Sequence, residues 1–267
     1  MVAKRAVARP SGARRALVTG ASAGIGLAFA ERLAREHYDL ILVARNAERL
    51  AALAQGLRQR HGIAAEPLSA DLTDSSELRV VEQVIAGDQQ LELLVNNAGF
   101  GTVGPFVRLD PDREEAEVKL NVLALTRLTR AALPGMVARH RGAIINVSSL
   151  AALQPTPFNA TYAATKAFVN SFTEALHEEL RGTGVQVQAL CPGFTRTEFQ
   201  ERAGIDTSHV PSFVWMTPDA VVAASLAALQ RGSLICIPGL GNQVLAAAAN
   251  AAPRSLVRRL AGMIIKP

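Results

Sequence analysis

Short apolar runs alternate along this chain with longer stretches in which apolar side chains recur every three or four residues. The short runs predict buried β-strands, and the longer spacing predicts amphipathic helices. Regular alternation of the two is typical of βαβ units that build a parallel sheet. Strands are predicted over 16–19, 40–44, 65–69, 91–95, 143–147, 185–190 and 234–237, and helices over 24–36, 46–60, 74–87, 111–139, 161–181 and 217–230.

Seven strands joined by helical crossovers indicate an α/β fold: a single-domain Rossmann-type doubly wound parallel seven-stranded sheet with helices on both faces. The segment 193–216 is too long for an ordinary connection between a strand and a helix, which favours a substrate lid. We therefore expect a flexible basic N-terminal segment (1–14), a Rossmann-fold domain (15–238) that includes the lid, and a C-terminal extension (239–267) packed on the domain or on a partner subunit.

The net charge of +5 is carried by the two ends of the chain. Residues 1–15 contain five basic side chains and no acidic one, and the same holds after Asp219, so the middle of the chain is acidic. This distribution does not form a basic groove, and no aromatic side chains alternate with the basic ones to stack on bases. Nucleic acid is therefore not an expected partner.

Cysteine usage and hydropathy favour a cytoplasmic protein. Cys191 and Cys236 lie in predicted strands, where buried free thiols are more common than a disulfide. No apolar run approaches the roughly 20 residues that span a bilayer, and the basic N-terminus lacks the apolar core of a secretory signal. No metal site is predicted.

The first strand runs directly into a glycine-rich turn, residues 19–26, and a helix follows at once. Glycines let the backbone approach a pyrophosphate, and the helix N-terminus offers unpaired N–H groups and a positive dipole end. Tight turns also use glycine without any ligand, so the position after the first strand is what favours a dinucleotide. The predicted contacts are Gly20, Ser22, Ala23, Gly24, Ile25 and Gly26.

The second strand ends at Ala44 and is followed by Arg45 and Asn46. An acid here would hold the ribose 2′-hydroxyl of NAD, whereas an arginine can pair with the 2′-phosphate of NADP. The sequence therefore favours NADP(H), with an exposed arginine at a helix start as the alternative.

Polar residues also follow the third and fourth strands, and strand carboxyl ends face the ligand crevice of such a sheet. We expect contacts with adenine and ribose there, while helix capping and turn formation are the alternatives. The residues are Asp71, Leu72, Asn97, Ala98 and Gly99.

Tyr162 and Lys166 are four residues apart in a helical stretch and therefore share one of its faces. A hydride added to a carbonyl leaves an alkoxide that needs a proton, and a nearby ammonium is expected to lower the pKa of the tyrosine toward the working range. Ser149 ends the fifth strand, where its hydroxyl can bind the substrate oxygen. Asn121 lies within the long helix, where it can anchor a water that supplies protons to Lys166.

Each of these residues also has a structural interpretation. Tyrosine and lysine meet at helical spacing by chance in many proteins, Ser149 suits a turn, and Asn121 suits a local kink. The glycine turn, the strand-end serine and the tyrosine helix in this order favour catalysis.

Together these motifs are similar to those of short-chain dehydrogenases/reductases, over about residues 15 to 200. The resemblance implies a nicotinamide cofactor and a catalytic tetrad, Asn121, Ser149, Tyr162 and Lys166, in which Lys166 also holds the nicotinamide ribose. It further implies that Pro192, Gly193, Phe194, Thr195 and Thr197 lie along the nicotinamide and diphosphate. The matching segments are 19–26 (TGASAGIG), 96–99 (NNAG), Asn121, Ser149, 162–166 (YAATK), Pro192-Gly193, Thr195 and Thr197.

The resemblance also bears on cofactor and branch. Many NADP-preferring relatives carry a basic residue inside the glycine turn, where this chain has Ser22 and Ala23, so the preference rests mainly on Arg45. The chain resembles a bacterial branch of mostly unassigned substrate, distantly related to ketosteroid and 3-ketoacyl reductases.

Large apolar side chains concentrate in the segment 193–216 of this aromatic-poor chain. They favour a lipophilic ketone as substrate, and docking of the lid on the core is an equally weighted alternative. The predicted substrate contacts are Ser149, Tyr162, Phe194, Phe199 and Trp215.

The segment 256–265 has apolar residues every fourth position among arginines, which predicts a basic amphipathic helix. Packing on a partner subunit is preferred over a membrane surface, and the family resemblance implies a homodimer or homotetramer. The main functional interpretation is an NADPH-dependent oxidoreductase acting on a small-molecule ketone, aldehyde or alcohol, with Tyr162 as general acid/base. The alternatives are a 3-oxoacyl thioester reductase of lipid metabolism and a non-catalytic NADP-binding protein.

Overall fold

The computed structural model describes residues 14–204 and 210–251. Its strands are β1 (Arg15–Thr19), β2 (Asp39–Ala44), β3 (Ala65–Ser69), β4 (Leu91–Asn96), β5 (Gly142–Val147), β6 (Val185–Leu190) and β7 (Ile235–Cys236). All neighbours pair in parallel, in the order β3-β2-β1-β4-β5-β6-β7. The predicted doubly wound sheet is confirmed.

Helices cover both faces of the sheet, which is why strands such as β1 are apolar on both sides. They are α1 (Gly24–Arg35), α2 (Ala47–His61), α3 (Ser75–Gly87), α4 (Pro111–Val118), α5 (Leu125–Ala138), α6 (Ala160–Glu179), α7 (Phe199–Arg202), α8 (Pro218–Gln230) and α9 (Leu240–Ala251). One core lies under α1, α2 and α8 around Phe29, and the other lies under α3 and α5 around Leu128. The edge strand β3 contains Pro67, which an edge tolerates because one side of the strand has no partner.

The helix predicted over 111–139 is interrupted in the structure. It consists of α4, a π-helical turn at Lys119–Ala124, and α5. A π-helical turn is wider than an α-helical turn, so it changes the direction in which the side chains of its residues point. It places Asn121 among the buried residues.

Residues beyond the predicted elements also form helices. The segment 193–216 contains α7 and a 3-10 turn at Ser212–Val214. Helix α9 was not predicted, because its alanine-rich sequence carries little apolar periodicity. The predictions for residues 1–13 and for the helix 256–265 lie outside the described residues.

The fold places the loops that follow β1 and β4 side by side. The chain proceeds from β1 to β2 and β3 on one side, and then continues with β4 on the other. Where strand order reverses in this way, a crevice opens at the carboxyl ends of the strands. Within the described residues, no helix is both long and apolar enough to cross a membrane.

Candidate active site

The glycine turn between β1 and α1 has the conformation and the close packing that require glycine. Gly20 and Gly24 have φ angles of +65° and +55°, in the left-handed region that favours glycine. A Cβ on Gly26 would lie 2.3 Å from the carbonyl oxygen of Gly20. Helix α1 then begins without a side-chain cap and without an acid in its first turn. Its N-terminal N–H groups are therefore available to an anion.

The loop after β4 is bonded to this turn. The hydroxyl of Thr19 accepts the N–H groups of Asn97 and Ala98, both at 2.9 Å. The side-chain amide of Asn97 donates to the carbonyl oxygens of Thr19 at 2.9 Å and Gly20 at 3.3 Å. The Asn97 amide nitrogen therefore shapes the turn. Thr19 belongs to the matching segment 19–26, but the sequence analysis assigned no role to its hydroxyl.

Some of the residues that follow β2 and β3 are held by local hydrogen bonds, and others are exposed to solvent. Asn46 caps α2, because its side-chain oxygen accepts the N–H of Arg49 at 2.8 Å. Arg45 is 76% exposed and lies 3.9 Å from a carboxylate oxygen of Asp71, whose other oxygen accepts the N–H and hydroxyl of Thr73. The side chain of Arg45 is thus largely free, whereas Asp71 is held in its loop. Leu72 is buried.

Ser149, Tyr162 and Lys166 come together in the structure. Ser149 follows β5, and its side chain caps the 3-10 turn Leu150–Leu153 and hydrogen-bonds with Tyr162. The ammonium nitrogen of Lys166 lies 5.6 Å from the centre of the Tyr162 ring. It also donates a hydrogen bond of 2.8 Å to the carbonyl oxygen of Val147, which places it just before Ser149.

The ionisation of the pair differs from the expectation. Loss of water raises the pKa of Tyr162 to about 12, although its hydrogen bond with Ser149 acts in the opposite direction. Burial also lowers the pKa of Lys166 to about 8. The expected lowering of the tyrosine pKa by the lysine is therefore wrong, because desolvation by burial is the largest influence on the hydroxyl. Tyr162 keeps its proton at neutral pH.

Asn121 fixes the loop that leads away from β4. Its side-chain oxygen accepts the N–H of Phe100 at 3.2 Å, and its nitrogen donates to the Phe100 carbonyl at 2.9 Å and to the Thr165 hydroxyl at 3.1 Å. A Cβ on Gly99 would lie 2.9 Å from the Asn121 oxygen and 3.4 Å from the Lys166 nitrogen. Asn121 is therefore close to Lys166, and its oxygen retains one acceptor position.

The predicted substrate contacts divide into two groups. The Phe199 ring lies 5.4 Å from the Tyr162 ring, whereas Phe194 and Trp215 form a separate pair at 5.4 Å. Trp215 lines a groove of about 960 Å³ beside α1, and Phe213 is 87% exposed. Of the three predicted aromatic contacts, the structure thus brings Phe199 to the tyrosine.

The segment after β6 runs along the glycine turn. Thr197 lies against Gly24, where an added Cβ would meet the Thr197 methyl group at 3.0 Å. Thr195 is buried and donates to the carbonyl of Gly193 at 3.0 Å, and Pro192 is buried next to it. The backbone of 194–196 pairs with Met216, so the two ends of the predicted lid are joined.

One buried acid near these residues was not predicted. Glu117 is 0% exposed, and one of its oxygens accepts the N–H of Thr102 and lies 2.9 Å from the Thr102 hydroxyl oxygen. Thr102 in turn accepts a hydrogen bond from Asn159, just before α6. Glu117 stands one helical turn before Asn121, on the inward side of the helix, and this spacing is the signal that could have identified it.

Comparison with known proteins establishes the family. The profile described as short chain dehydrogenase matches residues 14–207. The very-long-chain 3-oxoacyl-CoA reductase of Anas platyrhynchos is 33% identical over 244 residues, which are 88% of this chain and 76% of that protein. A short-chain dehydrogenase from Sphingobium yanoikuyae in complex with NADPH shares 42% identity at a TM-score of 0.83, over 91% of this chain and 94% of the other. The bulky-bulky ketone specific alcohol dehydrogenase from Comamonas testosteroni shares 32% identity at a TM-score of 0.78, over 92% and 97%. The chain belongs to the short-chain dehydrogenase family and is an oxidoreductase of that family.

Proposed function

We propose that this oxidoreductase reduces a ketone or aldehyde with NADPH, or oxidises the corresponding alcohol, with Tyr162 as its general acid/base. The observation that carries the proposal is the grouping of Tyr162 with Ser149 and Lys166 at the carboxyl end of β5. The loop after β4 connects this group to the glycine turn, so a dinucleotide on the turn and a carbonyl at Tyr162 occupy one crevice.

NADP(H) is the cofactor that the residues fit. The close packing of Gly26 and the uncapped start of α1 suit a diphosphate. Arg45 extends into solvent after β2, where Rossmann folds meet the ribose 2′-group. The NADPH complex of the Sphingobium relative supports the same cofactor. We assign cofactor contacts to Gly20, Ser22, Ala23, Gly24, Ile25, Gly26, Arg45, Asn46, Asp71, Leu72, Asn97, Ala98, Gly99, Tyr162, Lys166, Pro192, Gly193, Phe194, Thr195 and Thr197.

The chain's own residues handle the proton and the substrate oxygen. When bound, the reduced nicotinamide supplies a hydride to the carbonyl carbon. Tyr162 donates its proton to the oxygen, which its raised pKa of about 12 permits because the hydroxyl is protonated at neutral pH. Ser149 donates a hydrogen bond to the same oxygen, and the Lys166 ammonium stabilises the tyrosinate until it regains a proton. Asn121 holds the loop beside Lys166 and keeps an acceptor for a water that returns the proton.

We propose a lipophilic substrate under a lid formed by residues 193–216. The Phe199 ring lies beside Tyr162, at the place where a substituent of the ketone would pack. The Comamonas relative is specific for bulky-bulky ketones, which supports this substrate class. The similarity to a very-long-chain 3-oxoacyl-CoA reductase favours a second candidate, reduction of a 3-oxoacyl thioester.

A substrate panel tests this function. Each buried methylene contributes about 0.8 kcal/mol, roughly a fourfold change in kcat/KM. We therefore expect kcat/KM for methyl hexyl ketone to exceed that for methyl ethyl ketone by about tenfold or more, measured as NADPH consumption. Equal rates, or faster reduction of a small polar ketone, would exclude the lipophilic site. Faster reduction of a 3-oxoacyl-CoA than of either ketone would favour the second candidate, and no turnover at all would favour a non-catalytic NADP-binding protein.

Arg45 provides the test of cofactor choice. Arg45→Ala is expected to lower kcat/KM for NADPH by about 10–100-fold, because one charge-assisted phosphate contact contributes about 1.5–3 kcal/mol. The value for NADH should stay within about twofold. Arg60→Ala is the matched control, since Arg60 is an exposed arginine near the other end of α2 that pairs with Glu31. An equal loss with both cofactors would contradict a role in binding the 2′-phosphate.

We also propose a cytoplasmic homodimer or homotetramer. Both cysteines are buried free thiols, as a reducing compartment maintains them. Val118, Leu123 and Phe168 are each about 40% exposed or more, on or beside α4 and α6, and a second subunit would cover them. Light scattering on the purified protein measures the assembly.

A further inference from the structure

Glu117, in the last turn of α4, is a buried carboxyl that the mechanism above does not use. Its side chain is 0% exposed. One oxygen accepts the N–H of Thr102 at 2.9 Å, and the other has no hydrogen-bond partner in the described part of the chain. Burial of a carboxylate with an unpaired oxygen is costly, so its position beside the active site calls for a physical explanation.

Thr102 links this carboxyl to a second one. Its hydroxyl oxygen lies 2.5 Å from one oxygen of Glu114 and 2.9 Å from the bonded oxygen of Glu117. A hydroxyl has a single proton and can donate it to only one of them. The other contact is then a hydrogen bond only if the carboxyl supplies the proton. Both contacts are therefore hydrogen bonds when the pair of carboxyl groups holds one proton.

Glu117 is the group that holds this proton. Glu114 is less buried and also accepts the hydroxyl hydrogen of Thr161, so its anion is the better stabilised of the two. Burial raises the pKa of Glu117 to about 7, and the charge of Glu114 acts in the same direction. The hydrogen bonds from Thr102 and the charge of Lys166 oppose this rise. Glu117 therefore changes its charge in the neutral range.

The charge of Glu117 acts on both proton-transfer residues. Helix α4 packs against α6, and the ionisable groups that interact with Glu117 are Glu114 on its own helix and Tyr162 and Lys166 on α6. An ionised Glu117 raises the pKa of Tyr162 and that of Lys166, because an anion favours the protonated form of each neighbour. Both effects have the same sign, so they add.

We propose that Glu117 is a positioning residue of this enzyme: a protonated acid at low pH whose ionisation keeps the Tyr162–Lys166 pair protonated and extends carbonyl reduction to higher pH. The proposal rests on the proposed function, since it assumes that reduction needs the protonated tyrosine. It assigns no contact with substrate or cofactor to Glu117.

Two matched glutamine variants test the proposal through the pH profile of kcat for NADPH-dependent reduction of methyl hexyl ketone. Glu117→Gln removes the charge at every pH, so the alkaline decline of kcat is expected about half a pH unit or more below that of the wild type. Glu114→Gln removes the other carboxyl of the pair but leaves Glu117 ionised above pH 7, so its alkaline decline should coincide with the wild type. Superimposable profiles for Glu117→Gln and the wild type would overturn the proposal, as would a change in kcat that is equal at all pH values.

An infrared measurement decides the protonation without turnover. The wild-type enzyme should show the C=O stretch of a buried protonated carboxyl one unit below the Glu117 pKa of about 7 and lose it one unit above. Glu114→Gln should keep this band and shift its loss to lower pH, because a neighbouring negative charge is gone. A wild-type spectrum without the band would overturn the proposal even if Glu117→Gln fails to fold. If the wild type reduces none of the ketones, the proposed function fails while the band still reports on Glu117.

Discussion

Replacing Tyr162 with phenylalanine is expected to lower kcat for ketone reduction by about 10³-fold, within the range that a positioned general acid contributes. The variant keeps the ring that packs 5.4 Å from Phe199 and loses only the hydroxyl that hydrogen-bonds with Ser149. The Kd for NADPH should rise by no more than about tenfold, the contribution of one neutral hydrogen bond. Steady-state rates and a fluorescence titration with NADPH measure the two quantities separately.

The chain offers a matched control for this substitution, because it contains only two tyrosines. Tyr38 precedes β2, and its hydroxyl accepts a hydrogen bond from Arg14 at the opposite end of the sheet. Tyr38→Phe should therefore leave kcat within about twofold of the wild type. If Tyr162→Phe also retained full activity, the general acid would be another group, and a protein without any turnover in either form would be a binding protein.

The fold was predictable because the periodicity of apolar residues differs between strand and helix. All seven strands start and end within one residue of the predicted limits, and most of them are buried under helices on both faces. The π-helical turn at Lys119–Ala124 was not predictable, because nothing in its composition distinguishes it from the α-helix on either side. Helix α9 was missed for a related reason: its alanines form a helix without a strongly apolar stripe.

Candidate site residues could be predicted where their role follows from the chemistry of the side chain itself. They could not be predicted where the role depends on burial or on neighbouring groups in the fold. The tyrosine, lysine and serine could be named as candidates from their type and spacing, and the structure brings these three side chains together. The pKa of Tyr162 could not be predicted from the sequence, because it depends on how much water the fold removes from the hydroxyl. Glu117 could not be predicted either: a glutamate in a helix suggests an exposed residue, and only the fold shows that this one is buried against Thr102.

These two cases have one physical cause. Desolvation is the largest influence on Tyr162, Lys166 and Glu117 alike, and it raises the pKa of each acid while it lowers that of the amine. Burial thus disfavours the charged form of all three groups, and a change of charge on one of them shifts the pKa of the others. Such a site lowers the stability of the folded protein, because a buried charge on any of the three groups makes the free energy of folding less favourable.

Replacing Lys166 with methionine should change catalytic activity and protein stability in different ways. In the proposed mechanism the Lys166 ammonium stabilises the tyrosinate and holds the nicotinamide ribose, so we expect its loss to lower kcat by about 10²-fold or more. Methionine fills a similar volume, so the loss of activity should not come from a cavity. The same substitution removes the need to bury a charge.

The effect on stability has a sign that depends on pH. The pKa of Lys166 falls to about 8 in the folded protein from an ordinary value of 10.5. Between these two values the unfolded chain binds more protons, so the stability of the wild type rises with pH there, and below about pH 8 the folded state carries the full cost of the buried charge. We therefore compare the free energy of unfolding of Lys166→Met with that of the wild type. The difference between them should favour the variant by about 3 kcal/mol more at pH 7 than above pH 10.5.

Urea denaturation of variant and wild type across this range measures the difference directly. The Val147 carbonyl loses its donor in the variant, which costs about 1–3 kcal/mol at every pH and leaves the pH dependence of the difference unchanged. Lys119→Met is the control, since Lys119 is exposed and pairs with Glu115, which raises its pKa. It should show no gain in stability at neutral pH and no loss of activity. The difference in the free energy of unfolding between Lys166→Met and the wild type could instead stay constant with pH. Burial would then not lower the pKa of Lys166, and the lysine would act in proton transfer with its ordinary pKa.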